Sequence, residues 1–115
     1  MTTLYGIPNC DTVKTARKWL DAAGTDYGFH DYKKAGANAA RLSGWADRVG
    51  WEVLLNKRGT TWRKLSDADK ADIDQGKAVR LMADNASLIK RPIVEHGDAL
   101  LVGFDEAEWA AAGLG

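Results

Sequence analysis

The stretch Thr3–Gly24, T-L-Y-G-I-P-N-C-D-T-V-K-T-A-R-K-W-L-D-A-A-G, changes its apolar pattern halfway along. The short apolar run Thr3–Ile7 predicts a buried strand, which Pro8 ends because proline cannot donate a ladder hydrogen bond. Beyond it, apolar residues recur at steps of three and four and predict a helix over residues 11–23: Val13, Ala16, Leu20 and Ala23. Asp11 or Thr12 favours its first turn, and Gly24 is a natural stop.

The rest of the chain extends this strand and helix into an α/β fold. Residues 25–32 predict a second strand, and strand–helix–strand order implies a parallel pair. The middle predicts helices with one loop between them: helices at 38–49, 51–56, 67–74 and 77–85, and a loop at 57–63. The end predicts a β-hairpin and a last helix: strands at 93–95 and 99–102, and a helix at 105–112. We therefore expect one thioredoxin-like domain over residues 1–115, with helices inserted between a βαβ unit and a ββα unit.

Composition limits the classes of function. The chain has 115 residues, 45% hydrophobic and 28% charged, with 16 basic and 16 acidic side chains. That balance disfavours a nucleic-acid partner, which usually requires a basic excess. A single cysteine cannot form an internal disulfide, so a reducing cytoplasm is the expected location. We see neither a signal peptide nor an apolar run of the roughly 20 residues that cross a membrane, so no membrane partner is expected.

The only cysteine, Cys10, stands where the predicted helix begins. Unpaired backbone N–H groups and the helix dipole stabilise an anion there, which would favour the thiolate. Lys14 follows one turn later, and its ammonium could approach the sulfur. The alternative is a buried free cysteine that serves only packing. Position alone leaves both interpretations open, and the turn at Pro8 and Asn9 favours the nucleophile.

A second feature, Arg91-Pro92, precedes the predicted hairpin. Only about 5–6% of X-Pro bonds in folded proteins are cis, so the residues alone favour an ordinary edge-strand start. Two histidines and one cysteine do not make a convincing zinc set, so no metal is expected.

Three segments together resemble the ArsC/Spx family of thioredoxin-fold proteins. They are I-P-N-C-D-T-V-K-T-A at 7–16, G-T-T-W-R at 59–63 and R-P-I-V at 91–94. Their order and spacing are most similar to the YffB-like branch, whose members are proposed to be glutathione-dependent thiol reductases. The resemblance covers nearly the whole chain.

The resemblance implies a set of site residues. Cys10 would be the catalytic thiolate, Pro92 a cis-proline facing it, and Arg91 an anion-binding arginine. Lys14, Arg58 and Arg63 are further candidates for substrate binding. Glutathione would be a cosubstrate rather than a bound cofactor, and the partner would be a disulfide or a glutathionylated substrate. Glutaredoxin is a further candidate partner.

Departures from the family pattern place two other functions behind thiol reduction. The arsenate reductases carry a histidine where this chain has Gly6, and two more arginines at positions that fall on Asn56 and Gly103. Only Arg91 remains of three, although Arg58 could substitute, so arsenate reduction is a secondary hypothesis. Spx-type regulators often use a C-x-x-C switch, which Val13 makes impossible here. A non-catalytic partner of the transcription machinery is the third hypothesis.

Overall fold

A four-stranded mixed sheet organises both ends of the chain. The computed structural model describes residues 1–115, of which residues 1–35 and 91–115 form one unit and residues 36–90 another. The first unit contains β1 (Thr2–Gly6), α1 (Asp11–Ala23), β2 (Gly28–Asp31), α2 (Tyr32–Ala35), β3 (Ile93–His96), β4 (Ala99–Val102) and, last in the chain, α8 (Glu106–Ala111). The strand order is β2-β1-β3-β4, with β1 and β2 parallel and the other pairs antiparallel. The predicted βαβ and ββα halves are confirmed.

Helix α1 forms as its periodicity predicts. Val13, Ala16 and Leu20 lie on one face and are fully buried. Gly24 ends the helix in the left-handed conformation (φ 70°), and its N–H donates to the Asp21 carbonyl at 3.1 Å. The N-cap residue is Cys10, the last residue with an extended backbone, and the helix begins at Asp11 as predicted. The cysteine therefore lies at the junction of loop and helix.

One apolar core joins α1, one face of the sheet and α8. Its buried members are Leu4, Val13, Ala16, Leu20, Val94, Leu101, Trp109 and Leu114. Trp109 has no exposed surface; its ring packs edge-on against Phe104 at 4.8 Å between centroids, and its Nε1–H donates to the Gly103 carbonyl at 3.1 Å. The core thus fixes the elements that carry the cysteine and the Arg91-Pro92 segment.

The second unit is the predicted helical insertion. Its helices are α3 (Ala39–Val49), α4 (Trp51–Leu54), α5 (Thr60–Lys64), α6 (Asp67–Lys70) and α7 (Gln75–Asp84), followed by a 3₁₀ turn at Ala86–Leu88. Side chains cap three of the helices: Asn38 accepts from the Arg41 N–H at 2.9 Å, Ser66 from the Asp69 N–H at 3.1 Å, and Asp74 from the Lys77 N–H at 2.8 Å. No helix in either unit has the length and apolar character that crossing a membrane requires.

Several predicted boundaries were wrong. Residues 57–63 are not all loop, because α5 begins at Thr60. The half-buried Trp62 supports this single helical turn, since the ammonium groups of Lys57 and Lys70 lie 5.4 and 5.6 Å from its ring centroid. The turn formers Gly59 and Thr60 had indicated an irregular segment.

Other elements are shorter than predicted, and two short ones, α2 and the 3₁₀ turn at Ala86–Leu88, were missed. Strand β2 covers only residues 28–31 of the predicted 25–32, because it pairs with β1 alone and over four residues. Helix α6 stops at Lys70, since Asp72 has a positive φ of 50° that no helix continues through. Helix α2 follows β2 without a break and was not predicted.

Candidate active site

Cys10 lies between the end of β1 and the first turn of α1. After β1, the exposed residues Pro8 and Asn9 make the turn that presents the half-buried cysteine. Its backbone is extended (φ −102°, ψ 125°), and its carbonyl accepts the first helical hydrogen bond from the Lys14 N–H at 2.9 Å. Its sulfur therefore faces the positive end of a helix of 13 residues.

The surroundings of this sulfur favour the thiolate. Partial burial acts to raise the pKa of the Cys10 thiol, but the Val13 N–H, the Arg91 side chain and the Thr12 N–H together outweigh it. The net effect is a pKa below the ordinary value of a cysteine. The Cys10 side chain does not form a capping hydrogen bond with the first turn of α1. The N–H groups of Thr12 and Val13 therefore act on the sulfur mainly through their dipoles. Arg91 acts through both hydrogen bonding and charge.

Arg91 and Pro92 reach this site from the start of β3. The peptide bond between them is cis, and Pro92 is buried. The Pro92 carbonyl accepts a hydrogen bond from the Gly103 N–H at 2.8 Å, which ties the segment to the residue after β4. The cis bond agrees with the resemblance and differs from the ordinary strand start that the residues alone favoured.

The Arg91 side chain has hydrogen-bond donors without a partner. Its Nε and Nη1 atoms are buried and have no hydrogen-bond partner in the structure. Buried donors normally have partners, because leaving one unsatisfied costs about 1–3 kcal/mol. The Arg91 guanidinium stabilises the Cys10 thiolate and also has unpaired N–H groups. It is therefore suited to bind an anionic ligand beside the sulfur.

The other predicted binding residues, Lys14, Arg58 and Arg63, are exposed. Lys14 is exposed on α1 and is not among the groups that lower the Cys10 pKa. Arg58 and Arg63 belong to the 36–90 unit, where both are exposed and the Arg63 Nη2 donates to the Arg58 carbonyl at 3.2 Å. Their roles in substrate binding, like those of Arg91 and Pro92, stay predictions.

Two glycines at positions of interest are constrained by the fold. A Cβ atom on Gly6 would lie 2.8 Å from the Val13 Cγ2 atom, closer than real Cβ contacts come. Gly103 has a φ of +79°, which side-chain-bearing residues rarely adopt. Sequence patterns did not reveal either constraint, although an isolated glycine in a strand can signal a close approach.

Comparison with known proteins identifies the family. The ArsC family profile matches residues 5–112, so the chain belongs to the ArsC family. A solved structure titled YffB protein is 49% identical, has a TM-score of 0.95, and the match covers 97% of this chain and 98% of that one. An arsenate reductase (ArsC) related protein from Brucella melitensis is 47% identical with a TM-score of 0.76, covering 96% and 92%. The global transcriptional regulator Spx of Streptococcus pyogenes is 28% identical over 110 residues, covering 94% of this chain and 81% of Spx.

These findings confirm the predicted family and the thioredoxin-like α/β fold. The family membership and its arsenate reductase-related members make the chain a member of a thiol reductase family. Its relatives also include a transcriptional regulator, so the family holds more than one function.

Proposed function

We propose that the protein is a glutathione-dependent thiol–disulfide reductase that uses Cys10 as its only nucleophile. The observation that carries the proposal is the pairing of Cys10 with Arg91: the guanidinium stabilises the thiolate and keeps two buried donors unused. A mixed disulfide of glutathione brings both a sulfur for the thiolate to attack and carboxylates for the guanidinium.

The reaction follows from having one thiol. The Cys10 thiolate attacks the glutathione sulfur of the mixed disulfide, forms a Cys10–glutathione disulfide, and releases the substrate as a thiolate that takes a proton from water. A second glutathione thiolate then attacks the glutathione sulfur of that disulfide. This step releases oxidised glutathione and restores the Cys10 thiolate. The net result is that the mixed disulfide is reduced to the substrate thiol while one free glutathione is oxidised, and it leaves joined to the glutathione of the substrate. An external thiol must complete the cycle because the chain has no second cysteine to resolve the intermediate.

Arsenate reduction has less support. The position of the arsenate reductases' histidine is occupied by Gly6, where Val13 leaves no room for a side chain. The position of one of their arginines is Gly103, whose positive φ disfavours any replacement. A dianionic oxyanion needs dense positive charge, and Arg91 is the single cation that contributes to the pKa of Cys10.

The first test is turnover of a glutathionylated peptide disulfide by the wild type and by Cys10→Ser, with glutathione as the reductant. We expect turnover by the wild type and only the uncatalysed rate with Cys10→Ser. The same assay with arsenate, glutathione and glutaredoxin tests the secondary hypothesis through the arsenite formed. Catalysis of neither reaction, combined with co-purification of polymerase subunits, would instead favour a regulator like Spx.

A further inference from the structure

The contact between Gly6 and Val13 joins the last residue of β1 to the first turn of α1. Gly6 is buried, and Val13 is fully buried. A Cβ on Gly6 would meet the Val13 Cγ2 at 2.8 Å and Cγ1 at 3.4 Å. The strand and the helix can approach this closely only because residue 6 lacks a side chain.

The backbone of Val13 is one of the groups that stabilise the Cys10 thiolate. Its N–H lowers the pKa of the Cys10 thiol, as do the Arg91 side chain and the Thr12 N–H. Because the side chain and the N–H of Val13 belong to one rigid helical turn, whatever seats the side chain also sets the position of the N–H. The branched side chain has little rotamer freedom in a helix and cannot turn away from a new neighbour.

We propose that Gly6 is a positioning residue for the reactive thiol: its missing side chain lets Val13 seat against β1 and so holds the first turn of α1 on the Cys10 sulfur. The proposal rests on the proposed role of Cys10 as a thiolate nucleophile. It assigns Gly6 and Val13 as a size-matched pair, in which a larger residue at one position requires a smaller residue at the other.

The experiment is a double-mutant cycle that measures the rate of Cys10 alkylation by iodoacetamide as a function of pH. In Gly6→Ala the added methyl pushes against Val13 and moves the first turn of α1, so we expect the midpoint of the alkylation profile to move to higher pH. The rate below the wild-type midpoint should fall about threefold to tenfold, the size of a helix-dipole effect on an ion. In Gly6→Ala/Val13→Ala the clash is gone, and we expect the profile of Val13→Ala alone.

The control is Gly28→Ala in β2, where a Cβ meets only the Thr2 carbonyl at 4.0 Å, and we expect the wild-type profile. A folded Gly6→Ala with the wild-type profile would overturn the proposal. So would a double variant that keeps the raised midpoint of Gly6→Ala. If Gly6→Ala does not fold, Val13→Ile crowds the same contact from the helix side, and an unchanged midpoint in that variant would refute the size match.

The outcome is separable from that of the proposed function. Alkylation reports the thiol itself, whereas turnover of a glutathionylated disulfide reports the proposed reaction. A raised midpoint in Gly6→Ala together with no turnover by the wild type would uphold the positioning role and reject the reductase. Turnover by the wild type together with an unchanged midpoint in Gly6→Ala would uphold the reductase and reject the positioning role.

Discussion

Replacing Arg91 with methionine tests the electrostatic basis of the site. Methionine keeps most of the length of the side chain and removes its charge and its N–H donors. Since the guanidinium favours the charged form of Cys10, its removal should raise the pKa of the thiol and slow alkylation at neutral pH.

The size of the loss in Arg91→Met follows from how exposed Cys10 and Arg91 are to solvent. A hydrogen bond to a charged group contributes about 1.5–3 kcal/mol when it is shielded from water. Cys10 and Arg91 are both partly exposed, so screening reduces this to about 1 kcal/mol. We therefore expect the thiolate fraction of Arg91→Met, and with it the alkylation rate below the midpoint, to fall about fivefold.

The same interaction makes stability depend on pH. Because folding lowers the pKa of Cys10, the thiolate stabilises the folded state above the ordinary thiol pKa, and this contribution is lost as pH falls through the lowered pKa. Urea unfolding should therefore show Arg91→Met losing stability relative to the wild type as pH rises across that window. At acid pH the variant should lose little, because it also removes two buried N–H groups that have no partner.

The matched control is Lys14→Met, which removes a cation that is also close to Cys10 in sequence but does not lower its pKa. We expect the wild-type alkylation profile from it. If Arg91→Met gives the wild-type profile, or if Lys14→Met produces the larger shift, the assignment of Arg91 as the stabilising cation is wrong.

Two further predictions concern the scaffold. Trp109→Ala removes a fully buried indole from the core and should cost about 3–5 kcal/mol of unfolding free energy, measured by urea denaturation; a loss below 1 kcal/mol would contradict the packing described. Gly103→Ala places a side chain at a φ of +79° and should cost about 1–2 kcal/mol. A wild-type denaturation midpoint in that variant would show that this turn tolerates a side chain and would weaken the case against an arginine there.

The order of elements was largely predictable because the periodicity is strong where the core is built. Helix α1 has the predicted bounds, since its buried residues recur at regular steps and Gly24 marks its end. The hairpin is also as predicted, because Gly97 supplies the positive φ its turn needs (56°). The errors fall on single-turn helices such as α5, whose few residues give no period to detect.

The site was predictable only in part. Cys10 stood out by its position, and the resemblance singled out Arg91 and Pro92. The unsatisfied donors of Arg91 could not be predicted, because they depend on which groups the fold brings near the guanidinium. The constraint on Gly6 was equally hidden, since it arises from a contact with Val13 in the next element rather than from the local backbone.

The arrangement of the sheet has a consequence for biosynthesis. Strand β1 lies between β2 and β3 in the sheet, yet its partner β3 is synthesised only after the whole of residues 36–90. The hydrogen bond between Thr2 and His96 joins residues 94 positions apart. Until β3 emerges, the nascent chain carries one edge of β1 with open N–H and C=O groups, which any other extended segment can pair with. The time needed to synthesise residues 36–90 therefore sets how long the edge of β1 stays unpaired in the nascent chain and open to incorrect strand pairing.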